Sequence, residues 1–150
     1  MKLEDEIKQK NFNSVYQKLI LNVYVTSSWF GTRTARILKP YKITLQQYNV
    51  LRILRGQQGK AASVGLIQER MMDKSSNASR LIDKLVLKKL VDRKTCPDDR
   101  RQMDIRITSK GLELLTLLDG PMNEDESTIS NFVTQEEATM MSDILDRMRG

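Results

Sequence analysis

Along the first quarter of the chain the apolar positions Val15, Leu19, Ile20, Val23 and Phe30, with Ser27 in the same stripe, recur at three- and four-residue steps. That spacing predicts one long helix over residues 5–38, with Gly31 an interior weak point and Pro40 the stop. A helix of this length near the start of a small chain has too little of its own chain to cover its apolar face, which points to oligomerisation. Thr44-Leu45-Gln46-Gln47 follows the capping-box pattern and opens a helix reaching Gln57. Its apolar members are Leu45, Tyr48, Leu51, Ile53 and Leu54, and Gly56 and Gly59 punctuate its end. A short strand at 61–64 is followed by a short helix over 64–72, capped by Ser63, with Leu66, Ile67 and Met71 turned inward.

Asp73-Lys74-Ser75-Ser76-Asn77 reads as a polar turn and a helix start, where short polar side chains can satisfy free backbone N–H groups. The helix runs to about residue 89 on a core stripe of Ala78, Leu81, Ile82, Leu85 and Val86, and Asn77, Arg80, Lys84 and Lys88 step along its opposite face. A hairpin follows, with strands over 90–96 and 103–108. In the second, Met103, Ile105 and Ile107 alternate with Asp104, Arg106 and Thr108, the period of a half-buried strand. Thr108 or Ser109 caps a leucine-rich helix over 110–119, which Gly120-Pro121 must break or kink. Thr134-Gln135-Glu136-Glu137 is a second capping box. It opens a last helix to about Met148 with a stripe of Met140, Met141, Ile144, Leu145 and Met148.

Charge sharpens this layout. Residues 1–69 carry 11 Lys and Arg against 4 Asp and Glu, residues 70–110 carry 12 against 6, and residues 111–150 carry 2 against 9. A basic body therefore precedes an acidic helical tail, and basic surface attracts phosphate whatever the sequence of the nucleic acid. The chain has no histidine, which excludes Ser-His-Asp and Cys-His catalysis. No phosphate-cradling glycine loop or paired-cysteine metal signature is present either, so no enzyme, metal or cofactor is expected. No apolar run approaches a membrane span, and the polar, acidic N-terminus does not resemble a signal peptide. One cysteine, Cys96, fits a reducing cytoplasm, and without a resolving thiol in the same chain it makes a poor redox switch.

Helix–turn–helix followed by a basic-tipped hairpin is the layout of a winged helix, a mainly α fold with a small β-hairpin wing. At the hairpin a family resemblance becomes specific. The stretch from Pro97 to Gly111, with Asp99, Arg101, Ile105, Ile107, Thr108 and Gly111 in register, resembles the wing signature of MarR transcription regulators. Ser79-Arg80-Leu81-Ile82-Asp83-Lys84-Leu85, followed by Lys88-Lys89-Leu90-Val91-Asp92-Arg93, is similar to that family's recognition helix and its exit into the wing. Element order matches over the whole chain, and motifs match over about residues 44–111. One position departs: Lys89 stands where the family often has glycine, so a left-handed backbone there costs ~1 kcal/mol.

The resemblance implies a homodimer in which helices from 5–38 and 111–150 interlock and two lobes, each residues 44–110, straddle a pseudo-palindromic operator. It also implies a repressor released by a small aromatic or anionic effector. The residues expected at double-stranded DNA are Ser75, Ser76, Asn77 and Ser79 at the helix start, Arg80 and Lys84 on its face, and Arg100 and Arg101 at the wing tip. Tyr24, Trp29, Phe30 and Arg33 are candidates for an effector site, aromatic walls with one guanidinium; packing within a dimer core is the competing role. The rival function is a winged helix that docks a protein partner instead of DNA. That role calls for an apolar recognition face, whereas Asn77, Arg80, Lys84 and Lys88 are polar or cationic.

Overall fold

The computed structural model describes residues 1–96 and 103–150. The expected wing contacts Arg100 and Arg101, with their neighbour Asp99, lie outside the described residues. Two compact units make up the chain, Met1–Leu45 and Gln46–Gly150.

In the first unit the predicted single helix is two. α1 covers only Leu3–Glu6, and α2 covers Val15–Leu38. The break has a local cause just before Val15, where the apolar stripe begins. Ser14 caps α2 by accepting a hydrogen bond from the Gln17 backbone N–H, and the Gln17 side chain accepts one from the Asn13 N–H at 2.7 Å. Lys8 sits at φ 56, which no helix accommodates. An ion pair between Lys18 and Glu4 then ties the N-terminal segment to the first turns of α2. At its far end α2 passes into a 3₁₀ turn, Lys39–Tyr41, with Pro40 inside it and Lys42 left-handed after it. Gly31 does not interrupt α2.

The second unit holds α3 (Leu45–Arg55, its first residue at the boundary), α4 (Val64–Arg70) and α5 (Ala78–Leu87). The antiparallel strands β1 (Val91–Thr95) and β2 (Met103–Ile107) follow, then α6 (Ser109–Ser127) and α7 (Gln135–Arg149). α4 packs on α5 and β2, and α5 on β1. Val50, Leu51, Leu54, Ile67, Met71, Ile82, Leu85, Ile105, Leu115 and Leu118 are buried. Burial of ten such side chains is the main term favouring the fold, at about 1.5–3 kcal/mol each.

Strand pairing runs Val91↔Ile107, Arg93↔Ile105 and Thr95↔Met103, and Ile105 is the buried member of the second strand. The residues expected as a short strand contribute a single bridge, in which Ala62 and Ile105 exchange both backbone hydrogen bonds at 2.9 Å. Ser63 caps α4 as expected, although α4 stops at Arg70. Thr108, and not Ser109, caps α6. At Thr134 both bonds of the capping box form.

Gly120-Pro121 does not end α6, which continues to Ser127. Proline removes one N–H, and the carbonyl it leaves unpaired belongs to Leu117, a residue 63% exposed, so water can take the missing donor's place. The chain bends instead at a 3₁₀ turn, Thr128–Asn131. Arg55 of α3 holds α6 through a two-pronged ion pair to Asp119, at 2.8 and 2.9 Å. Each partner favours the other's charged form: the carboxyl sits below its ordinary range and the guanidinium above its own.

The end of α5 shows why Lys89 is tolerated. Leu90 N–H donates to the Leu85 carbonyl at 3.0 Å and Lys89 N–H to the Val86 carbonyl at 2.8 Å, the paired bonds of a Schellman motif. That motif requires a left-handed residue, and Lys89 has φ 60. Lys89→Gly is therefore expected to raise stability by about 0.5–1 kcal/mol in a urea titration. An unchanged or lower midpoint would show that the strain is relieved elsewhere.

Candidate nucleic-acid interface

The turn ahead of α5 is held by a lattice of side-chain to backbone bonds. Asn49 Oδ1 accepts from the Met72 N–H at 2.9 Å, and Gln68 Oε1 accepts from the Ala78 N–H at 3.0 Å. Asp73 accepts from both the Ser75 hydroxyl, at 2.6 Å, and the Ser75 N–H, at 3.0 Å. These donors hold its carboxyl below the usual carboxylate range. None of these ties follows an apolar period, so pattern reading passed over Asn49 and Gln68.

The expected site residues separate by environment. Asn77 is the cap, accepting from the Arg80 N–H at 3.0 Å. Ser75 is exposed with its hydroxyl committed to Asp73, whereas the Ser76 Oγ is buried and Ser79 is half-buried. Arg80 and Lys84 are exposed one turn apart on the outer face of α5. The expected continuation of that face through Lys88 is not what forms. Lys88 is half-buried, and its ammonium reaches back to Gln47 Oε1 of α3 at 3.4 Å. The outer stripe continues through Leu87, whose position follows Arg80 and Lys84 at helical spacing.

A second pairing went unforeseen. Arg93 of β1 donates to Asp83 of α5 at 2.7 Å, linking the base of the hairpin to the helix. Register places Arg93 on the same side of the hairpin as Val91 and Ile105, the side that meets α5. The other side carries Asp92 opposite Arg106 and Lys94 opposite Asp104, around a cleft of about 200 Å³. Opposite charges face each other there, and Arg106 also donates to the Gly59 carbonyl. That side of the strands is therefore electrically compensated.

In the first unit, the Arg33 guanidinium lies 4.6 Å from the centroid of the Trp29 ring, and Trp29 meets Phe30 edge to face at 4.9 Å. Those three expected effector residues come together. Tyr24, five residues before Trp29, falls on a different side of α2. Among the described residues no helix is long and apolar enough to cross a membrane.

Residues 41–102 match the sequence model of the MarR family. The transcription regulator MarR from Oenococcus oeni PSU-1 is 28% identical to this chain, with a TM-score of 0.69, over 87% of this chain and 97% of that one. The S. aureus MepR–DNA complex gives a TM-score of 0.77 at 22% identity, over 90% of this chain and 96% of that one. The organohalide-sensing regulator RdhR-CbdbA1625, solved in its 2,4-dichlorophenol-bound form, gives 0.83 at 15% identity, over 94% and 85%. At such identities the last two speak for the fold. The matched segment spans the helix–turn–helix and the first wing strand; over it the chain resembles the MarR family of transcription regulators, and the fold is shared with a MarR regulator across nearly the whole length.

Proposed function

We propose that this chain is a sequence-specific DNA-binding repressor that acts as a homodimer on a pseudo-palindromic operator and is released by a small aromatic or anionic effector. The observation that carries the DNA reading is the outer face of α5. Arg80 and Lys84 stand exposed beside a rigidly bonded turn, on a helix whose opposite face is sealed by Ala78, Ile82 and Leu85. A helix presented this way fits the major groove, where an arginine can pair with guanine and a lysine can meet phosphate. Asn77 caps the helix start and Ser75 is tied to Asp73, Ser76 and Ser79 flank them at the groove-facing turn, and Arg100 and Arg101 supply the wing contact. The MepR relative solved on DNA supports the same reading. For the effector, support comes from the Trp29, Phe30 and Arg33 cluster and from the phenol-bound relative.

Selection from random DNA with the full chain, followed by anisotropy titrations, tests this. Arg80→Ala is expected to cost about 1–3 kcal/mol on the selected site and to relax preference at one base pair. Lys84→Ala is expected to weaken all sequences evenly and to lower the salt slope by about one. Affinity and salt slope unchanged in both variants would remove α5 from the groove.

A further inference from the structure

We infer that Leu87 is a specificity-determining residue that reads the 5-methyl group of a thymine in each half-site. This rests on the DNA-binding reading above and adds to it a base and an atom. The first ground is position. Leu87 closes α5, is 84% exposed, and shares the outer stripe with Arg80 and Lys84. The second is what its neighbours do. Two of the nearby cations are already committed, one to another helix and one to a carboxylate. Lys88 bonds Gln47 of α3, and Arg93 bonds Asp83, the residue one turn before Leu87. Asp83 is the one carboxylate on this face, and its pairing with Arg93 leaves the ground beside Leu87 neutral where a bare carboxylate would repel phosphate.

The face therefore changes character along its length, cationic at Arg80 and Lys84, neutral and apolar at Leu87. Phosphate contact needs a cation, and donors and acceptors on base edges need polar groups. A leucine satisfies neither, but the major groove offers one apolar group, the thymine methyl. Helical rise sets where it lies. Seven residues at about 1.5 Å each put Leu87 roughly 10 Å along the axis from Arg80, about three base-pair steps.

The test uses the full-length protein and the DNA site selected from random sequence. Thymines are replaced singly, symmetrically in both half-sites, by deoxyuridine, which removes only the methyl, and affinity is measured for the wild type and Leu87→Ala. At one thymine, two to four base pairs from the position at which Arg80→Ala relaxes preference, the wild type is expected to lose about fourfold per half-site, the worth of one buried methyl group. Leu87→Ala is expected to be indifferent to that replacement and to melt with the wild type, since so exposed a side chain contributes little to the core. Tolerance of deoxyuridine everywhere by the wild type, or an equal loss in Leu87→Ala, overturns the inference while leaving DNA binding intact. No selected site and no DNA binding by the full chain would take down the DNA reading itself, and Leu87's role with it.

Discussion

At micromolar concentration the chain is expected to sediment at about twice its 17.3 kDa, and Met140→Glu is expected to shift it to smaller or unfolded species. α7 has no buried residue within its own chain, although its stripe is apolar: Met140, Met141 and Met148 are 62%, 55% and 48% exposed. In the first unit α2 likewise exposes Val15, Tyr16, Leu19, Ile20 and Tyr24. Apolar faces of this extent are not left to water in soluble proteins; they become interfaces. Methionine suits such a surface, since it is flexible and fills irregular gaps. For a native monomer Met140→Glu would be one more surface change, worth within about 0.5 kcal/mol. At a dimer seam it buries a carboxylate without a partner and should weaken association by several kcal/mol. Sedimentation equilibrium and melting at several protein concentrations separate the cases, because a dimer's melting temperature rises with concentration. A folded monomer throughout, with Met140→Glu melting like the wild type, would end the dimer proposal.

The parts of this fold legible in the sequence are those written by local chemistry. Ile105 betrays the hairpin because alternation on a half-buried strand places one face inward, and the pairing with Arg93 confirms the register. Ser63, Thr108 and Thr134 betray helix starts because one side-chain oxygen near a free N–H suffices to make a cap. Expectations failed where a local rule met an exception supplied from outside its window. The predicted first helix extends back to residue 5, although its apolar stripe begins only at Val15, and Asn13, Ser14 and Gln17 start the helix there. Pro121 is a breaker by rule, but an exposed stretch of α6 absorbs it.

Site residues follow the same division. Arg80 and Lys84 could be placed by helical period alone. Lys88 shares that period, but Gln47, 41 residues earlier, recruits its ammonium, and Leu87 inherits the stripe. The ties from Arg55 to Asp119 and from Arg93 to Asp83 join residues 64 and 10 positions apart. No periodicity specifies such pairs, since they depend on how elements dock. The charge asymmetry, by contrast, was legible and suits the proposed function. Acidic α6 and α7 would be repelled by phosphate, while α5 and the hairpin's neighbourhood would be drawn to it.

The junction of α5, the hairpin and α6 should fail at a single methyl group. A Cβ added at Gly111 would lie 2.4 Å from the Leu90 carbonyl oxygen and 2.7 Å from Ile107 Cγ1. The first contact cannot be relieved by a rotamer change, because the clashing atom is backbone. That carbonyl also accepts the Thr108 N–H at 3.1 Å, and the Thr108 hydroxyl in turn donates to the Lys89 carbonyl at 2.9 Å while accepting from the Gly111 N–H at 3.1 Å. Moving Leu90 therefore disturbs the helix cap, the closing bond of the hairpin and the Schellman turn together. Gly111→Ala is expected to destabilise by about 3 kcal/mol or more, at the upper end of what overpacking costs. Gly65→Ala is the matched control. It lies inside α4, where the nearest atom to the added Cβ is Ser63 Oγ at 3.8 Å, so helix propensity should raise stability by about 0.5–1 kcal/mol. Urea titrations of the two variants against the wild type read both signs. Coincident midpoints for Gly111→Ala and the wild type would mean that the junction yields, and the hairpin would then be far less rigidly set against α5 than its bonding implies.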